Sequence, residues 1–135
     1  MPDSPEEIII DASVIVDLLA ETSLAEAAHA ALDDRRLFAP AHIDAEVLSA
    51  LGRMQRAGLL PAARATEAVR LCAAMPVERT PLPGLLAGAW IRRSGLRLSD
   101  ALYVELAEST DRRLVTSDRK LGRQYAGAEV LTLDA

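Results

Sequence analysis

With 135 residues, half of them hydrophobic but only 3% aromatic, the chain is sized for one domain whose core is built from Ala, Leu, Val and Ile. A formal net charge of −5 is the wrong sign for holding nucleic acid through bulk charge alone. One cysteine, Cys72, and two histidines, His29 and His42, exclude an internal disulfide, a thiolate zinc cluster and a zinc finger.

No apolar run approaches the roughly 20 residues needed to cross a bilayer. The start, MPDSPEE, is acidic, with no basic segment leading into an apolar one, so it does not read as a signal peptide. A soluble, cytoplasmic protein with no membrane partner is the expectation, residues 1–6 forming a short polar leader to a single domain spanning 1–135. Lys120 is the only lysine among many arginines. The guanidinium fork suits phosphate, but a GC-rich genome would yield the same composition, and that is the simpler reading.

The elements alternate along the chain. EIII (7–10) is a short, continuous apolar strand. Residues 12–20 and 23–34 read as helices, with Thr22 or Ser23 as a cap between them, and RLFAP (36–40) is a second strand. Residues 42–57 form a strong helix with Ile43, Val47, Leu51 and Met54 on one face and Gly58 at its end. Pro61 opens a helix to about 74, followed by a strand at 77–80. Helices are expected over 83–93, ended by Gly95, and over 99–108, capped by Ser99. LVT (114–116) is a strand, 118–124 a short helix, and EVLTL (129–133) the last strand.

Strands apolar on both faces and separated by helices indicate a parallel sheet covered on both sides. The fold class is α/β: one three-layer domain with four or five parallel strands flanked by helices. Ligands of such sheets bind outside the carboxyl ends of the strands, where strand order reverses. EEIIID and RLVTSD both run a strand straight into an acid, Asp11 and Asp118. Each could equally be an ordinary helix cap.

Asp100 enters a helix that is apolar nearly all round, Ala101 to Val104 with Leu106 and Ala107, so it needs a charge partner. Glu46 borders the apolar face of its helix, one turn after His42. Asp17 could lie near the site or on a helix surface. Asp33 and Asp34 read as a solvated turn, Glu105 and Glu108 as a polar stripe, and Cys72 as a small core side chain. Carboxylates converging without histidine or thiolate suit a hard cation, Mg²⁺ or Mn²⁺. Without a cation, each would raise its neighbours' pKa. The chemistry implied is hydrolysis of a phosphate ester.

DASVIVDLL, HIDAEVLSAL, LSDALYVELAE and LVTSDRKLG, in that order, resemble the PIN-domain family, and within it the VapC-type toxins of toxin–antitoxin pairs. The resemblance spans about Ile8 to Leu133. It implies a PIN-like fold and a Mg²⁺- or Mn²⁺-dependent ribonuclease whose metal-binding acids are Asp11, Glu46, Asp100 and Asp118. Ser13, with Thr116 or Ser117, matches the small hydroxyl positions beside them. It also implies an RNA substrate, a cognate antitoxin and a homodimer. Arg92, Arg93, Arg97, Arg119 and Arg123 are candidate contacts to the RNA backbone.

Two alternatives stay open. A haloacid-dehalogenase-like phosphatase would use Asp11 as nucleophile, although Ser13 stands where a second aspartate is usual and no later lysine is evident. A non-catalytic RNA-binding or regulatory module could keep the fold. No G-x-G-x-x-G, G-K-[ST] or G-x-S-x-G motif supports a nucleotide-binding or serine-hydrolase reading.

Overall fold

The computed structural model describes residues 4–133. Ile8, Ile9 and Ile10 are all fully buried. Successive strand residues point to opposite faces, so this strand must be covered on both sides. Five parallel strands, β1 (Glu7–Ile10), β2 (Arg36–Pro40), β3 (Val77–Thr80), β4 (Arg113–Thr116) and β5 (Ala128–Val130), lie in the order β3-β2-β1-β4-β5. The helices are α1 (Ala12–Leu19), α2 (Ala25–Leu32), α3 (Ile43–Arg56), α4 (Ala62–Ala74), α5 (Leu86–Ile91), α6 (Leu98–Thr110) and α7 (Arg119–Gln124). α6 lies against β1, β2 and β4 and carries α5; α1 contacts β4 and packs with α2 and α3, which in turn packs on α4. The α/β domain expected from the alternation is the one observed.

The chain builds β1, β2 and β3 outward in one direction, then returns past β1 to add β4 and β5 on its other side. Strand order therefore reverses between β1 and β4. Ile10 pairs with Val115 in register, so Asp11, Thr116 and Asp118 leave the sheet side by side at its carboxyl edge. Topology alone brings residues about a hundred positions apart to one place.

Several boundaries differ from those expected, for local reasons. Thr22 does not cap α2 directly; its hydroxyl donates to Asp17 Oδ1 (2.6 Å) and accepts from Leu24 N (3.3 Å), delaying the helix to Ala25. Pro83 and Gly84 hold 83–85 in a 3₁₀ turn, and α5 stops at Ile91, short of Gly95. Ser99 lies inside α6 rather than capping it; Arg97 is the N-cap and makes no side-chain cap bond. β5 starts one residue early and ends at Val130. Gly58, at φ +76°, ends α3 as expected, and Cys72 is buried. Burial first, then the charge of Asp44, raises its thiol above the ordinary range.

At the opposite, amino edge of the sheet, Phe38 lies under the guanidinium of Arg112 (3.8 Å) with that of Arg36 at 5.4 Å. Both arginines also bond Glu7, at 3.0 and 2.7 Å. Glu6, in the leader, pairs with Arg35 and Arg113. Arg112→Ala is expected to cost about 1 kcal/mol in urea unfolding without affecting the far edge. An unchanged midpoint would show the stack to be idle.

Candidate active site

Asp11 follows β1 and caps α1, its Oδ1 accepting from Val14 N at 3.4 Å. Asp118 follows β4 and caps α7, accepting from Lys120 N (2.9 Å) and Leu121 N (3.4 Å). Helix capping and site membership are therefore not rivals here. The caps hold both carboxylates at the strand ends.

Asp11 is only 6% exposed. Ser13 Oγ donates to its Oδ1 at 2.5 Å, and Thr116 Oγ1 donates to its Oδ2. Thr116 Oγ1 in turn accepts from Asp118 N at 3.0 Å, and Ser13 Oγ accepts from Ser117 N at 3.0 Å. The expected hydroxyls of Ser13 and Thr116 thus orient Asp11 and tie the end of β1 to the end of β4. Ser117 contributes its backbone N–H and lines the cleft. Burial pushes Asp11 up to about 6; the two hydroxyl donors and Val14 N oppose this, and the Asp118 charge adds to it.

Asp100, 8% exposed, sits in the first turn of α6, where the helix dipole favours a negative charge. The charge partner it needs is supplied by Arg97, a candidate RNA-backbone contact in the sequence, with Nε 3.2 Å from Oδ2 and Nη2 3.4 Å from Oδ1. The Asp100 bond comes first in raising the Arg97 guanidinium, with smaller contributions from Asp118 and Glu46. Glu46, half-buried on α3, accepts from Tyr103 OH at 2.6 Å. Burial, then Glu46, pushes the Tyr103 phenol far above its usual range, so its hydroxyl stays a donor.

All four acids line one open cleft of about 310 Å³, together with Ser13, Asp17, Arg53, Arg97, Tyr103 and Ser117. Asp17 joins the wall with a buried, unpartnered Oδ2, and His42 lies within 3.5 Å of Glu46. Of the candidate arginines, only Arg97 is in the lining. Arg92 is bound to Glu105 at 3.0 Å, Arg93 stacks on Trp90, and Arg119 and Arg123 are on α7 outside the wall. Two polar lining residues, Tyr103 and Arg53, are not among the candidates picked from the sequence. Tyr103 was legible as a phenol in a buried helix, which must find a partner; Arg53, two turns after Glu46, shares its face.

The donor set suits a hard divalent cation: carboxylates and hydroxyls, one Asp11 oxygen pair deeply buried and one orphaned Asp17 oxygen. Among the described residues, no three form a ready-made cage. The acids share a cleft but each is engaged with a protein donor.

A parallel sheet with an acidic cleft at its reversal point defines a class, and residues 8–127 match the PIN-domain family model. The chain belongs to the PIN-domain family. It is 52% identical over 128 residues, 94% of this chain and 93% of the relative, to Ribonuclease VapC3 of Mycobacterium tuberculosis. Among solved structures it is similar to PAE2754 from Pyrobaculum aerophilum, with TM-score 0.64 and 29% identity over 93% of this chain and 83% of that one. The fold is also that of VapC20 of M. tuberculosis, a toxin cleaving the sarcin–ricin loop, with TM-score 0.65 and 17% identity over 86% and 93% of the two chains. A haloacid-dehalogenase-like reading finds no support: Lys120, the only lysine, is exposed on α7 and outside the cleft.

Proposed function

We propose that the protein is an endoribonuclease that hydrolyses RNA phosphodiester bonds with Mg²⁺ or Mn²⁺, as the toxin of a VapBC-type pair. The observation that carries this reading is the meeting of four acids from four separate elements in one cleft. Asp11, Asp100 and Asp118 would hold the cation, which supplies charge neutralisation at the phosphate and a more acidic water. Oε1 of Glu46 is taken by Tyr103, which leaves Oε2 to complete the cation's shell and, from there, to accept the proton of the attacking water. The water oxygen bonds to phosphorus as the bond to the leaving oxygen breaks.

Arg53 and Arg97 put positive charge on the cleft wall, offsetting the chain's net negative charge where the backbone must enter. Single-stranded or loop RNA fits this entry better than a duplex, because the scissile phosphate has to descend between the acids. Total RNA incubated with the protein should give new, mappable ends with Mn²⁺ and none with EDTA. Cleavage undiminished in EDTA would refute metal dependence.

The proposal includes a cytoplasmic homodimer neutralised by a cognate antitoxin. No helix among the described residues is long and apolar enough to cross a membrane. Two apolar surfaces support protein partners. Leu48 and Val69 flank a groove of about 390 Å³ between α3 and α4, and Leu86, Trp90 and Ile91 are exposed on α5. Sedimentation is expected to give twice the 14.5 kDa chain mass; a single-chain mass at every concentration would remove the homodimer.

A further inference from the structure

Glu46 and Asp100 reach the cleft from helices whose main packing partners lie apart. α3 packs on α1 and α4, whereas α6 packs on the sheet and α5. Two side chains bridge them. Tyr103 of α6 donates its hydroxyl to Glu46 Oε1 at 2.6 Å. His42, immediately before α3, places Nε2 2.9 Å from the carbonyl of Ser99, beside Asp100, and 3.5 Å from the same Glu46 oxygen. Both neighbours are acceptors, so the ring hydrogen belongs on Nε2. The two rings lie against each other, centroids 4.7 Å apart.

Tyr103 is only 1% exposed. Its ring is held by the core, so its hydroxyl is a fixed point from which a mobile glutamate can be oriented. We infer that Tyr103 and His42 are positioning residues that clamp α3 to α6 and fix Glu46, occupying Oε1 so that Oε2 is presented to the cleft. Glutamate has many rotamers to lose on binding, and partners behind a ligand commonly govern metal affinity by ten- to a hundredfold. The inference rests on the proposed metal-dependent reading and adds residues that touch neither cation nor RNA.

Tyr103→Phe keeps the buried ring and deletes one hydroxyl. Mn²⁺ binding, measured by calorimetry on RNA-free protein, is expected to weaken about tenfold or more, with a single cooperative unfolding transition retained in EDTA. His42→Ala, the second variant, is expected to weaken binding likewise, and the two losses to be non-additive. In a Glu46→Ala background, neither substitution should change the Mn²⁺ affinity further. Wild-type affinity in Tyr103→Phe, with Glu46→Ala impaired, overturns the clamp and leaves the metal site standing. A loss that persists in the Glu46→Ala background marks general loosening and also overturns it. Wild-type affinity in Glu46→Ala itself removes Glu46 as a ligand, and the clamp with it.

Discussion

Asp11→Asn is expected to lose at least about a thousandfold in RNA cleavage, because under the proposed metal-dependent mechanism it would remove a ligand and with it several kcal/mol of transition-state stabilisation. The fold should survive. Asn keeps the shape of the side chain: its carbonyl oxygen can still accept from Ser13 Oγ and Val14 N, and its amide can donate to the Thr116 hydroxyl, which rotates to accept. Stability should then carry a pH signature. Asp11, pushed up to about 6 by burial against an ordinary 3.8, binds more protons in the native than in the unfolded state across that interval. Wild-type stability in EDTA therefore falls as pH rises through the window, by up to roughly 3 kcal/mol. Asp11→Asn has no such group, so its unfolding midpoint should gain on the wild type between pH 4 and 6.5. Parallel wild-type and mutant profiles would show that Asp11 is not strained by burial.

Thr116→Val should damage both stability and activity although it is nearly isosteric. Thr116 is completely buried, and its hydroxyl donates to Asp11 Oδ2 while accepting from Asp118 N. Valine leaves a carboxylate oxygen and a backbone N–H without that partner, each costing about 1–3 kcal/mol. A loss of about 2–5 kcal/mol in denaturant unfolding is expected. Cleavage should fall in the same variant, because Asp11 and Asp118 lose the atom that joins them. Thr116→Ser restores the hydroxyl and should recover most of both. A Val variant of wild-type stability would mean that the hydroxyl does not link the two strand ends.

The sequence made the sheet legible because its strands are short apolar runs bounded by helices, and a parallel sheet leaves little freedom in where their ends lead. Asp11 and Asp118 could be placed because one directly follows such a run and the other follows it by one residue, Ser117. Asp100 stood out as an acid at the head of a helix that is buried nearly all round. The connections between side chains were less visible. Nothing local to Glu46 announces that a tyrosine 57 positions away will hold it, since that contact depends on how α3 and α6 approach. The early end of α5 and the late start of α2 follow from turn hydrogen bonds and a 3₁₀ segment, which leave hydrophobic periodicity unchanged. Composition was the weakest guide: Arg92, Arg93, Arg119 and Arg123 looked like Arg97 in the sequence, but only Arg97 of these lines the cleft.

A crystal grown or soaked with Mn²⁺ and measured at the manganese edge is the most direct trial of the account. An anomalous peak is expected in the cleft at the carboxyl edge of β1 and β4, within bonding distance of Asp11, Asp100 or Asp118 oxygens, and lost in Asp11→Asn. Manganese bound only elsewhere, in protein that still cuts RNA, would contradict it.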